Sequence, residues 1–290
     1  MTVLVFLDPA YENGRVADAS KPQLMATDQG ATRGDGIFES MLAVDGTPRK
    51  ISAHLARLAA SAETMDLVIP PADAWERAAA TAIAEHPPAR ELVAKLLVTR
   101  GVEGAGSPTA WVQASVPGPS GRRQRESGID VLLLDRGYDS TVAERAPWLL
   151  LGAKTLSYAV NMAALRYARK HGADDVIFTS SDGLVLEGPT STVLTATVRE
   201  GTRTLTTPLL ESGVLPGTSQ GALFSTAADA GWQLGYGPLV PQDLFGADAV
   251  WLVSSIRLMA PVRSIDGRKI PVSRELTDEL TELLVKGSRE

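Results

Sequence analysis

The sequence predicts an α+β protein of two domains, and three observations carry that prediction. At 290 residues the chain is long for a single core and comfortable for two domains of ordinary size. Segments with strand periodicity and segments with helical periodicity are mixed along its whole length. Between them lies Pro117-Gly118-Pro119-Ser120-Gly121-Arg122-Arg123-Gln124-Arg125-Glu126-Ser127-Gly128, rich in Pro, Gly and charge. The expected layout is a small N-terminal α+β domain over 1–116, an interdomain linker over 117–128, and a larger C-terminal domain over 129–290. The three arginines of the linker suggest an anion site only weakly, because a run of charge is usually a solvated face.

The elements follow in order. Residues 2–7 read as a strand, and 33–44 as a turn followed by a second strand. Asp45-Gly46 supplies a hairpin signal. Residues 51–65 are helical, with Leu55, Leu58, Ala59 and Ala62 on one face. Pro70-Pro71 ends that element, and 72–84 forms another helix, closed before Pro87-Pro88. Residues 91–100 read as a strand. After the linker, 129–135 is a strand and 158–170 a helix. Residues 176–179 and 184–186 pair as a hairpin around Ser181-Asp182-Gly183. Residues 193–198, 203–206 and 249–254 are further strands, and 217–230 and 274–285 are helices. The chain has no internal repeat.

Composition narrows the function. Hydrophobic residues make up 44% and charged residues 21%, as in a globular protein, and the net charge of -6 argues against a general polyanion binder. The chain has no cysteine, which excludes disulfides, thiolate catalysis and Cys-based metal sites. His54, His86 and His171 are scattered, so no metal centre is expected. The N-terminal apolar run is short and lacks a basic flank, and no stretch approaches the roughly 18 apolar residues of a membrane span. A cytoplasmic protein that binds neither membrane nor nucleic acid is expected.

Several short motifs stand out. Lys154 opens Lys154-Thr155-Leu156-Ser157-Tyr158, Asn161 follows, and after one helix-sized gap Glu187-Gly188 closes a turn. One placed amine and one placed carboxylate are the minimum that pyridoxal phosphate (PLP) chemistry asks of a protein: the amine attaches the cofactor and the carboxylate keeps the pyridine nitrogen protonated. Leu215-Pro216-Gly217-Thr218-Ser219-Gln220 precedes an apolar-periodic helix. Backbone N–H groups, the helix dipole and two hydroxyls suit a phosphate there, and an ordinary helix cap explains the motif equally well. Ser254-Ser255-Ile256-Arg257 ends a buried strand, where hydroxyls either bind an anion or begin a turn. Arg257 meets a substrate carboxylate or pairs with a surface acid. Arg57 has a guanidinium fork suited to phosphate, although a lone helical Arg is more often solvated. Arg33-Gly34-Asp35-Gly36-Ile37-Phe38-Glu39-Ser40 uses two glycines to re-aim a strand, and reads either as a ligand-facing turn or as a structural one.

Taken together and in this order, these motifs resemble the fold-type IV PLP enzymes, which comprise branched-chain and D-amino-acid aminotransferases and 4-amino-4-deoxychorismate lyases. The resemblance runs from about Gly30 to about Gly267, and includes His54-Leu55-Ala56-Arg57-Leu58 and Ala260-Pro261-Val262. It implies a two-domain fold like that of D-amino-acid aminotransferase, PLP as cofactor, and a homodimer. Lys154 would carry the cofactor and act as acid and base, and Glu187 would bind the pyridine nitrogen. Arg57, Gly217, Thr218, Ser219 and Ser255 would hold the phosphate. Phe38 and Ser40 would face substrate, with Arg100 and Arg257 the cations for its carboxylates.

Within the family, the run from Arg33 to Gly46 is similar to the lyase version, with the hydroxyl of Ser40 where lyases carry threonine. A hydroxyl there suits proton relay in an elimination, so Ser40 joins Lys154 as a catalytic candidate. The expected reaction is conversion of aminodeoxychorismate to 4-aminobenzoate and pyruvate, a step in folate precursor synthesis. The alternative is an aminotransferase for D-amino acids or branched-chain L-amino acids, and a non-catalytic PLP-binding scaffold is a third reading. Three departures bear on the substrate rather than the cofactor. Thr218-Ser219-Gln220 stands where many members read Ile-Thr-Arg, no second arginine follows Thr99-Arg100-Gly101, and the asparagine of some lyases near Ser254 is missing.

Overall fold

The computed structural model describes residues 1–289, which divide into two compact units. The first comprises Met1–Gly118 together with Ala153–Tyr158, and the second comprises Pro119–Gly152 and the chain from Ala159 onward. Both are mixtures of helix and sheet.

The first unit contains β1 (Thr2–Phe6), β2 (Arg15–Ala17), α1 (Gln29–Arg33), β3 (Gly36–Val44), β4 (Thr47–Pro48), α2 (Ile51–Thr64), α3 (Ala72–Ala84), β5 (Glu91–Thr99) and β6 (Thr109–Ser115). Its antiparallel sheet runs β2-β1-β6-β5-β3-β4. Asp45 and Gly46 both take positive φ (49° and 79°), as the tight turn between β3 and β4 requires. Successive strand residues face opposite sides. Ile37 and Met41 of β3, Leu96 and Val98 of β5 and Val112 of β6 therefore share one face, which packs against Leu55 and Leu58 of α2 and Trp75 and Ala79 of α3. The other face presents Phe38, Ser40, Lys95, Leu97 and Gln113.

The second unit contains α4 (Pro119–Ser127), β7 (Ile129–Asp135), α5 (Val142–Arg145), α6 (Ala159–Lys170), β8 (Asp175–Thr179), β9 (Thr192–Arg199), β10 (Thr202–Thr207), α7 (Thr218–Asp229), β11 (Gln233–Tyr236), α8 (Pro241–Gly246), β12 (Ala249–Ser254), β13 (Leu258–Ile265), β14 (Arg268–Lys269) and α9 (Arg274–Gly287). Its sheet runs β11-β10-β9-β12-β13-β7-β8, with β14 beside β13. The β10–β11, β13–β7 and β7–β8 pairs are parallel and the rest antiparallel. Leu223 and Ala227 of α7 and Leu280 and Leu284 of α9 bury against Leu194, Leu205 and Trp251.

Two expectations are corrected. The stretch expected as a linker over 117–128 folds as α4, because Pro119 occupies the first helical position, where its missing N–H costs nothing, and Arg, Gln and Glu sustain the helix behind it. Gly128, at φ 71°, then ends it. The segment 153–158, expected in the C-terminal domain, groups with the first unit. The expected pairing of 176–179 with 184–186 is present: the Leu186 N–H donates to the Phe178 carbonyl at 2.8 Å, the Phe178 N–H donates to the Glu187 carbonyl at 2.9 Å, and Thr179 bridges to Val185, while the other edge of β8 pairs in parallel with β7. Strands β6 and β13 were not anticipated. The first is alanine-rich, and the second carries Pro261, a residue normally excluded from strand interiors, beside a register shift between Val262 and Ser264.

Candidate active site

Lys154 sits on a short segment pinned along β3. The Phe38 N–H donates to the Lys154 carbonyl at 3.0 Å, the Leu156 N–H donates to the Gly36 carbonyl at 2.7 Å, and Ile37 bridges to Thr155. From α2, the hydroxyl of buried Ser61 accepts the Lys154 N–H at 3.1 Å. The side chain crosses aromatic surface: Nζ lies 4.4 Å from the Phe38 ring centroid and 5.7 Å from that of Tyr158. Those two rings meet edge to face at 5.3 Å. An amine so held has few rotamers open to it, which is the condition for repeated bond formation at one atom.

Ser40 lies two residues along β3 from Phe38, on the same face and half-buried. Its register partner on β5 is Lys95, an exposed residue between buried neighbours, and Gln113 of β6 follows Lys95 in the same row. Sequence reading missed Lys95. The signal was present as a lone charge in the apolar run Leu92 to Val98.

On the core face of β3, Glu39 is fully buried and pairs side-on with Arg57 of α2. Arg57 Nε donates to Oε1 at 2.6 Å and Nη2 to Oε2 at 2.8 Å, and His54 Nδ1 meets Oε2 at 2.6 Å. Burial alone pushes the Glu39 carboxyl up. Hydrogen bonds from Arg57 and His54, with the charge beside them, more than offset this and hold it at about 2. Arg100, a candidate for substrate carboxylates, is occupied within the fold: Nε pairs with Asp35 at 2.8 Å, and Nη1 and Nη2 donate to the carbonyls of Asp66 and Met65.

In the second unit, α7 begins at Thr218 with Gly217 as N-cap and no side chain capping it. Thr218 Oγ1 and Ser219 Oγ stand 3.1 and 3.3 Å from Ser255 Oγ, so three hydroxyls converge at the start of a 12-residue helix. A Cβ on Gly217 would collide with the Thr192 hydroxyl, so the close backbone approach excludes any larger residue. Hydroxyls, the N–H groups of a first helical turn and a positive helix end together fit a phosphate ester. The Leu215 N–H at the head of this loop donates to Glu187 Oε2 at 3.2 Å. Glu187 lines a small polar pocket with Arg136, Tyr138, Asn161 and Phe178. Burial pushes the Tyr138 phenol up against an opposing hydrogen bond from Arg136, and Glu187 adds to the rise. Asn161 Nδ2 donates to the Pro189 carbonyl at 2.7 Å and Oδ1 accepts from Arg136 at 3.1 Å.

Arg257 is 7% exposed, and its Nη1 meets buried Asp175 at 2.6 Å. Of the two readings open for this residue, pairing with an acid is the one observed, and that acid lies inside the unit rather than at its surface. Each unit thus gathers part of the expected set: Phe38, Ser40, Arg57, Arg100 and Lys154 in the first; Glu187, Gly217, Thr218, Ser219, Ser255 and Arg257 in the second. Among the described residues, no group of His, Cys, Asp and Glu is arranged to hold a metal ion, and no helix is long and apolar enough to cross a membrane.

Comparison with known proteins shows the family. Residues 36–265 match the family described as Amino-transferase class IV. A bifunctional aminodeoxychorismate lyase / D-amino acid transaminase of Mycobacterium tuberculosis is 42% identical over 284 residues, covering 96% of this chain and 98% of that protein. A fold IV transaminase from Curtobacterium pusillum superposes with a TM-score of 0.90 at 43% identity, covering 98% and 99% of the two chains. A hypothetical aminotransferase from Mycobacterium tuberculosis, solved in a PLP-bound form and in a form with alpha-ketoglutarate and PMP, superposes with a TM-score of 0.92 at 40% identity over 99% of each chain.

Proposed function

Because the chain belongs to the class IV aminotransferase family and has the type IV fold, we propose that it is a PLP enzyme acting at the amino-bearing carbon of its substrate. Its principal reaction is then conversion of aminodeoxychorismate to 4-aminobenzoate and pyruvate, which serves folate precursor synthesis. When bound, PLP supplies an electron sink for negative charge at that carbon. Lys154 would attach the cofactor, and its Nζ would take the proton from the substrate carbon. Glu187 keeps the pyridine nitrogen protonated. Arg57, the start of α7 with Gly217, Thr218 and Ser219, and the Ser255 hydroxyl hold the phosphate. Phe38 packs on the substrate, and Ser40 carries a proton towards the departing oxygen.

Substrate carboxylates need a cation whose donors are not already spent. Arg100 is held by Asp35 and two carbonyls and Arg257 by Asp175, so these two act as staples of the fold. Lys95, exposed and in register with Ser40, takes the carboxylate role in their place.

The observation that carries the lyase reading is the Ser40 hydroxyl, on the same strand face as the ring that underlies Lys154 Nζ. The name of the 42% identical relative supports it and also favours a second reading, transamination of D-amino acids at the same site. The test is to mix PLP-loaded protein with aminodeoxychorismate, without any keto acid, and follow both products. Catalytic, equimolar 4-aminobenzoate and pyruvate is the expected result. Turnover that requires an amino donor and a keto-acid acceptor instead would assign the protein to the transaminases.

The same reading makes the protein a cytoplasmic homodimer. Sedimentation at micromolar concentration distinguishes dimer from monomer.

A further inference from the structure

Glu39 has no part in the reaction as proposed above. It lies on the core face of β3, opposite to Phe38 and Ser40, and is 0% exposed. Burying a carboxylate is costly, and a hydrophobic residue there would pack against Ile37 and Met41 without that cost. What the carboxylate does is specific. It takes two nitrogens of Arg57, Nε and Nη2, with one oxygen each, and His54 Nδ1 contacts one of those oxygens as well. Side-on pairing of this kind fixes the plane of a guanidinium as well as its position. Residues 54, 57 and 61 recur on one side of α2, and Ser61 holds the Lys154 N–H. The neighbours of Glu39 on β3 hold the same lysine: the Phe38 N–H donates to the Lys154 carbonyl, and the Phe38 ring lies under Nζ. The guanidinium of Arg57 and the amine of Lys154 are therefore both referenced to one pair of elements, β3 and α2.

We propose that Glu39 is a positioning residue for the cofactor phosphate: it holds the Arg57 guanidinium in the orientation that receives the phosphate, at a set place relative to Lys154. The inference rests on the proposed PLP site. An arginine left to itself spreads over many rotamers, and ordering it on binding costs side-chain entropy. Glu39 meets that cost during folding, so phosphate binding does not. The competing explanation is that Glu39 only ties α2 to the sheet, and the two explanations differ in what they do to ligands with and without a phosphate.

The experiment titrates PLP and pyridoxal, which lacks the phosphate, into the apo form of the wild type and of Glu39→Gln, Glu39→Asp and Arg57→Ala, reading bound chromophore by absorbance. Positioning predicts that Glu39→Gln weakens PLP about tenfold or more while pyridoxal changes by less than about twofold. Glu39→Asp, whose shorter arm keeps the charge but not the side-on geometry, follows the same pattern and carries the test if the glutamine variant does not fold. Parallel weakening of both ligands with a lower melting temperature would reduce Glu39 to a structural tie and overturn the proposal. Unchanged binding of both would overturn it as well. Arg57→Ala separates this failure from that of the underlying reading. If it leaves the preference for PLP over pyridoxal at the wild-type value, Arg57 does not hold the phosphate, whatever Glu39 does.

Discussion

Two side chains on the open face of the first sheet bear on substrate choice, and each gives a distinct kinetic signature. Lys95→Ala removes the one cation in register with Ser40. A charge-assisted hydrogen bond contributes roughly 1.5–3 kcal/mol, so KM for a carboxylate-bearing substrate is expected to rise about tenfold to a hundredfold, with kcat little changed. Steady-state kinetics at saturating PLP checks this, and a lowered kcat with constant KM would remove Lys95 from the binding role. Ser40→Ala is expected to lower the rate of 4-aminobenzoate release by about a hundredfold, the usual scale of a lost proton-transfer group. Its transamination half-reaction should change far less, because that path needs no relay to a leaving oxygen. Stopped-flow measurement of the two reactions on the same variant reads the difference, and equal losses in both would return Ser40 to a packing role.

At the scale of elements, the start of α7 and its neighbour β9 form one device. Thr218, Ser219 and Ser255 bring three hydroxyls to a helix start whose N-cap is a glycine, and Gly217 lies too close to Thr192 to carry a Cβ. Gly217→Ala pushes the helix start away from β9. The expected outcome is a loss of stability of about 1–3 kcal/mol, as for other overpacked sites, and PLP affinity lower by about tenfold or more. Thermal melts and PLP titration test the two effects separately. A variant that melts lower yet binds PLP as tightly as the wild type would detach this turn from the phosphate. The companion device is the Lys154 segment, whose N–H and C=O are taken by α2 and β3 and whose side chain runs over two rings. Its backbone is placed by two elements of the first unit, α2 and β3, both distant from it in sequence.

For the whole molecule, the carboxylates set the response to acid. Glu39 and Asp182 are held at about 2, and Asp18, Asp73 and Asp139 are also lowered by hydrogen bonds from neighbouring side chains or backbone. A depressed folded-state value means that the unfolded chain binds protons first as pH falls. The stability from these groups is therefore complete above the ordinary carboxylate values of 4.5 and 3.8 and is lost as pH falls towards 2. Only Glu39 is buried enough for this to carry weight, of order 3 kcal/mol; the other four are solvated and contribute little. Urea midpoints are expected to stay level from pH 7 to about 5 and to fall steeply below about 4. Glu39→Gln should be less stable at neutral pH and should show a shallower fall. A variant with the wild-type slope would place the acid sensitivity elsewhere.

Whatever depends on local pattern and on short motifs was legible in the chain alone. The helices over 51–64 and 72–84 and the Asp45-Gly46 turn follow from periodicity and backbone preference within a few residues. The family was legible because Lys154, Glu187-Gly188 and Leu215-Pro216-Gly217-Thr218-Ser219 keep their order and spacing along the chain. Tertiary structure decided what depends on partners distant in sequence. Arg100 reads as a cation for substrate, and Arg257 as either that or half of an ion pair, until Asp35 and Asp175 are brought to them from 65 and 82 residues away. Lys95 reads as an ordinary strand residue until register sets it across from Ser40, and Glu39 as part of a turn motif until α2 delivers Arg57 and His54. Residues 117–128 read as a linker because Pro and Gly usually break structure; Pro at a first helical position and Gly just past the last one instead bound α4. A motif records which chemical groups a chain carries. Which of those groups stay available is set by the charges that folding places beside them, and no window of sequence around Arg257 or Arg100 contains those charges.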